Sequence, residues 1–123
     1  MGNFLRRKTP KNDLDDVAVG SDGQEHMDIR DIQKFDLYKK GISHMSDDKM
    51  EDAIRDFDLA LRLDPSYVDA WIKKGYAHFH LDEYPVSVSC YDKALDIDVN
   101  NAEAWNLKGL AFYRMKNYEK AIQ

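Results

Sequence analysis

The sequence predicts an all-α protein built from repeated antiparallel helical hairpins. Three observations lead to this prediction. Apolar residues recur at helical spacing from Met27 onwards, without the strict alternation of a half-buried β-strand. The chain matches itself when it is shifted by 34 residues, and the apolar segments are separated by short runs containing Asp, Asn or Pro. We therefore expect short turns to join the helices, and each repeat to stack on the next.

The internal repeat is the most informative of these signals. The segment Asp69–Gly75 aligns with Glu103–Gly109, and both contain Ala-Trp four residues before the glycine. A glycine inside a helix costs about 1 kcal/mol relative to alanine, so a repeated glycine indicates close approach of a neighbouring helix. Three aligned columns carry the pattern: Gly41, Gly75 and Gly109; Lys40, Lys74 and Lys108; and Met50, Tyr84 and Tyr118.

Turn signals between the apolar segments place six helices. The expected ranges are about 29–46, 49–63, 67–81, 83–97, 101–115 and 118–123. Three pairs resemble N-terminal capping boxes, in which an Asp, Ser or Asn precedes an acidic residue by three positions. The pairs are Asp48 with Glu51, Ser66 with Asp69, and Asn100 with Glu103. Asn117 is the expected start of the sixth helix, which the sequence cuts short.

From about residue 34 to the end, the intervals between Trp, Gly, Ala and Pro resemble those of the tetratricopeptide repeat (TPR) family. The resemblance implies a right-handed superhelical solenoid with repeats at about 34–67, 68–101 and a truncated 102–123. These repeats belong to a domain over 28–123, preceded by a polar tail at 1–27 that we expect to be disordered. The resemblance also implies that Trp71 and Trp105 are buried between the helices of a hairpin.

In this family the first helix of each hairpin lines a concave surface, which implies that the chain is a scaffold for a protein or peptide partner. Only Lys73 matches the basic and amide positions with which co-chaperone members hold a terminal carboxylate, so an apolar peptide or a helix is the expected ligand. Occupation by the chain's own tail or by a second copy is the alternative. The predicted groove consists of Tyr38, Ile42, Met45, Ile72, Lys73, Tyr76, Phe79, His80, Asn106, Leu110 and Tyr113.

Composition argues against several other kinds of partner. A formal net charge of -5 does not suit nucleic acid, which needs a basic face. No apolar run approaches the roughly 20 residues of a membrane-spanning helix, and a basic cluster at Arg6, Arg7 and Lys8 makes attachment through the tail only a minor alternative. The single cysteine, Cys90, favours a reducing compartment, so we expect a cytoplasmic protein.

We expect neither catalysis nor a cofactor. The sequence has no glycine-rich phosphate loop and no nucleophile elbow. His44 and His78 fall in one repeat column, which packing explains, and His80 points away from His78 on a helix, so no metal site is expected. The alternative is a regulatory or targeting segment of a larger enzyme, with the sequence in hand as a fragment.

The third repeat leads to one further expectation. The short sixth helix should cover little of Trp105, Gly109 and Phe112. Isolated helices shorter than about 12–15 residues are marginal in water, so this helix would not be stable enough to protect them. We therefore expect a homo-oligomer formed through this part of the chain.

Overall fold

A computed structural model describes residues 28–121 of the protein. The chain divides into two units, residues 1–32 and 33–123, and only 28–32 of the first unit are described. The predicted disordered tail at 1–27 lies outside the described residues, so the domain boundary stays a prediction. The described part confirms the all-α fold with five helices: α1 (Ile29–Ser46), α2 (Met50–Leu63), α3 (Val68–His80), α4 (Tyr84–Ile97) and α5 (Ala102–Ala121).

The turns inside the two complete hairpins, α1–α2 and α3–α4, have the same backbone geometry. Asp48 and Asp82 adopt positive φ angles of 62° and 61°, two residues before the next helix begins. Aspartate tolerates this left-handed conformation better than most residues, because its short polar side chain can bond locally to the backbone. One period later the same column holds Lys116, which favours a helix. Helix α5 accordingly runs through Lys116 to Ala121, and the prediction of a separate sixth helix starting at Asn117 is wrong.

The predicted capping boxes are also wrong, because each begins one residue before the actual N-cap position. Asn101, rather than Asn100, caps α5: its side-chain Oδ1 accepts a hydrogen bond of 2.9 Å from the backbone N–H of Ala104. The residues before α2, α3 and α4 are Lys49, Tyr67 and Glu83, and none of them makes a side-chain capping bond. These helices are held by what they pack against rather than by their N-terminal residues.

Within each complete hairpin an aromatic ring of the second helix covers a glycine of the first. Phe57 covers Gly41 and Tyr91 covers Gly75, and both rings are 0% exposed. A Cβ atom at Gly75 would lie only 2.6 Å from Cε1 of Tyr91, closer than real carbon atoms approach. The glycine column therefore marks close helix contact, as the sequence predicts. The third copy differs, because no heavy atom of the described residues outside α5's own backbone lies within 4 Å of such a Cβ at Gly109.

Small side chains and ion pairs join successive helices. Lys74 of α3 bonds Asp58 of α2 at 2.7 Å, and Lys108 of α5 bonds Asp92 of α4 at the same distance. Both pairs tie the first helix of a repeat to the preceding repeat. The small residues that are fully buried along the helices are Ala53, Ala60, Ala70, Ala77, Ser87, Ala94, Ala104 and Ala111.

The two tryptophans do not occupy the buried sites that the resemblance implies. Trp71 is partly buried and Trp105 is 49% exposed. The indole N–H of Trp71 donates to the backbone carbonyl of Pro65 at 2.8 Å, and that of Trp105 donates to the carbonyl of Val99 at 2.7 Å. In each case this hydrogen bond holds the polar edge of the indole at the turn before the helix. The ring therefore stays near the surface.

The glycine contacts predict opposite effects of one substitution at two aligned positions. Gly75→Ala should lower the free energy of unfolding by about 1–3 kcal/mol, because the new methyl group collides with the buried Tyr91 ring. Gly109→Ala should raise it by about 1 kcal/mol, because alanine favours the helix and the space is open. Chemical denaturation followed by circular dichroism measures both values. Shifts of the same sign would contradict the packing described above.

Candidate interaction surface

Helices α1 and α3 together line two adjoining cavities, which we call the α1–α3 surface. Ile42 and Lys73 border both cavities, so the two lie side by side. The first cavity, of about 440 Å³, is completed by Met45, Ser46, Asp48, Met50, Tyr76 and His80. The second, of about 590 Å³, is completed by Phe35, Tyr38, Lys39 and Ser43. This arrangement follows from the 34-residue period, which places the first helices of successive hairpins side by side.

Cations lie among the apolar side chains of this surface. Lys73 stands between the two cavities, and its Nζ is 3.6 Å from Oε2 of Glu103 on α5. Both side chains are partly solvated, so this ion pair contributes little stability. The Nζ of Lys39 lies 5.1 Å from the ring centroid of Phe35. The surface therefore combines apolar side chains with two lysines.

Two tyrosines supply amphipathic contact area on this surface. The Tyr38 ring packs 5.9 Å from Phe57 and 5.2 Å from Tyr67, measured between centroids. Burial, followed by the nearby charge of Asp69, raises the pKa of Tyr38 to about 12, so its hydroxyl keeps its proton in the physiological range. Tyr76 is only partly buried, which leaves part of its ring open to a ligand. Tyrosines of this kind bury much area for little loss of side-chain entropy.

Six of the eleven predicted groove residues lie on the α1–α3 surface. They are Tyr38, Ile42, Met45, Lys73, Tyr76 and His80. Asn106, Leu110 and Tyr113 are exposed on α5 but border neither cavity, so their part in binding stays a prediction.

Two of the predicted groove residues lie in the core, and their assignment to an open groove is corrected here. Ile72 is 1% exposed and packs with Ala94, Leu95 and Ala104 of the two following helices. Phe79 is 7% exposed, and its ring lies 5.2 Å from that of Tyr84. Helix α3 packs against α5 of the next repeat as well as against α4 of its own hairpin. More of the surface of α3 is therefore buried than α4 alone would bury.

Two residues of this surface are absent from the predicted groove. Phe35 is 47% exposed and stands three residues before Tyr38 and seven before Ile42, so helical spacing alone could have identified it. Met50 begins α2 and is 8% exposed, yet it borders the first cavity. No sequence signal indicates that Met50 borders this cavity. It belongs to the second helix of the hairpin, and its position depends on the preceding turn.

Two histidines, His44 and His78, are held by carboxylates. His44 Nδ1 lies 2.6 Å from Asp56 Oδ2, which joins α1 to α2, and His78 Nδ1 lies 2.7 Å from Glu83 Oε1. Within residues 28–121 no group of three or more His, Cys, Asp or Glu side chains is arranged to hold a metal ion. The hydrogen bonds between helices and turns account for His44 and His78 without a ligand.

Comparison with known proteins identifies the repeats. Residues 75–116 match the family model of the TPR repeat. Comparison with curated protein sequences gives no significant match. The described part of the chain contains no helix that combines the length and the apolar character needed to span a membrane.

Several solved structures share the fold. The first TPR domain of Spaghetti (RPAP3), bound to the HSP90 peptide SRMEEVD, is 24% identical with a TM-score of 0.65, covering 68% of this chain and 66% of that one. The TPR domain of Arabidopsis OM64 is 19% identical with a TM-score of 0.66, covering 72% and 73%. MamA is 23% identical with a TM-score of 0.63, covering 80% and 71%. The predicted resemblance to TPR proteins and the predicted repeat fold are therefore confirmed.

Burial predicts that the one cysteine is chemically inert in the folded protein. Cys90 is 3% exposed, and burial raises its pKa from 9.0 to about 11, with the nearby Lys74 only partly opposing this rise. At pH 8 the folded protein should hold about a hundredfold less thiolate than the unfolded chain. Alkylation by iodoacetamide, followed by mass spectrometry, should be at least that much slower before unfolding than after it. Equal rates in the two states would place Cys90 in an accessible, reactive setting.

Proposed function

We propose that this tetratricopeptide-repeat protein is a protein-interaction domain that binds an apolar peptide or helix of another protein on the α1–α3 surface. The observation that carries the proposal is a pair of adjoining cavities lined by apolar side chains that the core does not fully bury. Tyr38, Ile42, Met45 and Tyr76 are all only partly buried. Clusters of partly exposed tyrosine and aliphatic side chains in a concave site are typical anchor points for a partner chain.

The chemistry of this surface favours side chains of the partner over its terminal carboxylate. One similar structure, the first TPR domain of Spaghetti, is bound to an HSP90 peptide. In this chain the positions that hold a terminal carboxylate in co-chaperone members carry Tyr38, Ile42, Lys73, Glu103 and Leu107. A single cation paired with a carboxylate is a poor receptor for a second carboxylate. We therefore propose two apolar anchors, one in each cavity.

The proposed role is non-catalytic and cytoplasmic. Only a repeat domain is evident in the chain, and we propose that it acts by binding alone. The cytoplasmic location is supported by Cys90, a buried free thiol, since reducing compartments keep such thiols unpaired. Neither proposal depends on the identity of the partner.

Substitutions on the α1–α3 surface should weaken binding without unfolding the chain. Peptides selected from a random phage-displayed library against the wild-type protein provide a ligand, and isothermal titration calorimetry measures its dissociation constant. Ile42→Glu and Tyr76→Ala should each weaken binding about tenfold or more, as expected for anchors worth roughly 1–2 kcal/mol. Ile72→Glu is unsuitable for this purpose, because it would place a charge in the core.

Val86→Glu provides the matched control. Val86 is 44% exposed on α4 and borders neither cavity of the surface, so its substitution should leave the dissociation constant within about twofold. Circular dichroism should show wild-type helix content in all three variants. If Ile42→Glu and Tyr76→Ala bind as the wild type does and Val86→Glu binds more weakly, the site would lie on the exposed face of α4 around Val86 instead.

A further inference from the structure

The carboxylate of Asp48 stands at the edge of the first cavity of the α1–α3 surface. Asp48 lies in the turn between α1 and α2, where its backbone N–H donates to the carbonyl of Met45 at 3.0 Å. Its side chain is exposed, and within residues 28–121 it takes part in no hydrogen bond or ion pair. The turn therefore presents a carboxylate to the cavity at a fixed position, with its hydrogen-bonding capacity unused.

The second repeat uses the corresponding carboxylate within the fold. Asp82 is aligned with Asp48 and has nearly the same φ angle, but its Oδ1 accepts a hydrogen bond of 2.8 Å from the hydroxyl of Tyr84. Met50 stands in the Tyr84 column, and a thioether has no hydrogen to donate. Methionine in place of tyrosine thus leaves the Asp48 carboxylate unpartnered and supplies an apolar wall beside it.

This combination fits the side chain of a lysine or an arginine. The aliphatic stem of such a side chain can lie against Met45 and Met50 while its charged head reaches Asp48. The charges around the turn act in the same direction, because Asp47 and Glu51 are exposed on either side of a single cation, Lys49. The net charge of -5 adds a weaker, long-range attraction for a basic segment.

The second cavity has no such place for a basic residue. Lys39 and Lys73 border it, and none of its described lining residues is acidic. The charges near it approximately cancel, because Glu103 pairs with Lys73 and the charge of Asp69 reaches Tyr38. Lys73 also borders the first cavity, but the same partner offsets its charge there. A basic residue of a ligand is therefore favoured at the first cavity alone.

We propose that the partner segment carries a lysine or arginine next to the apolar side chain that enters the first cavity, and that this residue pairs with Asp48. The proposal rests on the binding function proposed above and adds the charge of the ligand. Because only one of the two cavities favours the basic residue, the ion pair also sets the direction in which the segment crosses them. An exposed pair of this kind changes affinity by about two- to fivefold, so Asp48 determines specificity rather than anchoring the ligand.

Asp48→Asn tests the ion pair, because asparagine removes the charge and tolerates the left-handed backbone conformation equally well. Peptides selected from a random phage-displayed library against the wild type should carry a lysine or arginine beside an apolar anchor more often than the unselected library does. Isothermal titration calorimetry at low ionic strength should show such a peptide binding Asp48→Asn about two- to fivefold more weakly than the wild type. With glutamine in place of the basic residue, the peptide should bind the two proteins equally.

Asp82→Asn is the matched control, since Asp82 has the same backbone conformation but borders neither cavity. This variant should bind the peptide as the wild type does, and circular dichroism should show wild-type helix content in both variants. Wild-type-selected peptides without a basic preference, or equal binding of the basic peptide by Asp48→Asn and the wild type, would overturn the proposed pair.

The Ile42→Glu variant separates this inference from the proposed function. If Ile42→Glu weakens binding while Asp48→Asn does not, the α1–α3 surface remains the binding site and the charge preference alone is wrong. If Ile42→Glu and Tyr76→Ala both leave binding unchanged, the peptide lies elsewhere and both proposals are wrong.

Discussion

The contact of an aromatic ring with a glycine is the constraint on which the rest of the described structure depends. Phe57 against Gly41 and Tyr91 against Gly75 bring the two helices of each hairpin closer than any side chain at the glycine would permit. Close approach in turn requires small residues along the contact, and Ala53 and Ser87, four residues before the two rings, are fully buried. The repetition of this contact after 34 residues gives both hairpins the same geometry.

The α1–α3 surface is a consequence of that geometry. Once α4 covers the glycine face of α3, and α4 and α5 enclose Ile72 and Phe79, one strip of α3 remains open. This strip contains Lys73, Tyr76 and His80, which border the cavities shared with α1. The same packing that stabilises the fold therefore selects the residues available to a partner, and changes in the core would change the surface as well.

The sequence predicts most of the fold, because the repeat period and the turn residues are local signals. All five helices begin within one residue of the predicted positions. The predictions fail where the conformation or burial of a residue depends on a contact that the repeat pattern does not identify. Lys116 continues a helix where aspartate would turn it, and Trp105 stays exposed because its indole reaches back to Val99. The residues of the α1–α3 surface were predicted only in part for the same reason, since the burial of Ile72 depends on two further helices.

The central claim is that the packing leaves the α1–α3 surface as the face on which a partner binds. Chemical-shift mapping on the ¹⁵N-labelled chain, titrated with a library-selected peptide, tests this claim most directly. The account predicts that the largest amide shifts fall in the parts of α1 and α3 that border the cavities, residues 35–46 and 73–80. If the largest shifts fall instead in the exposed residues of α2 and α4, with little change around Ile42 and Tyr76, the result would contradict this claim.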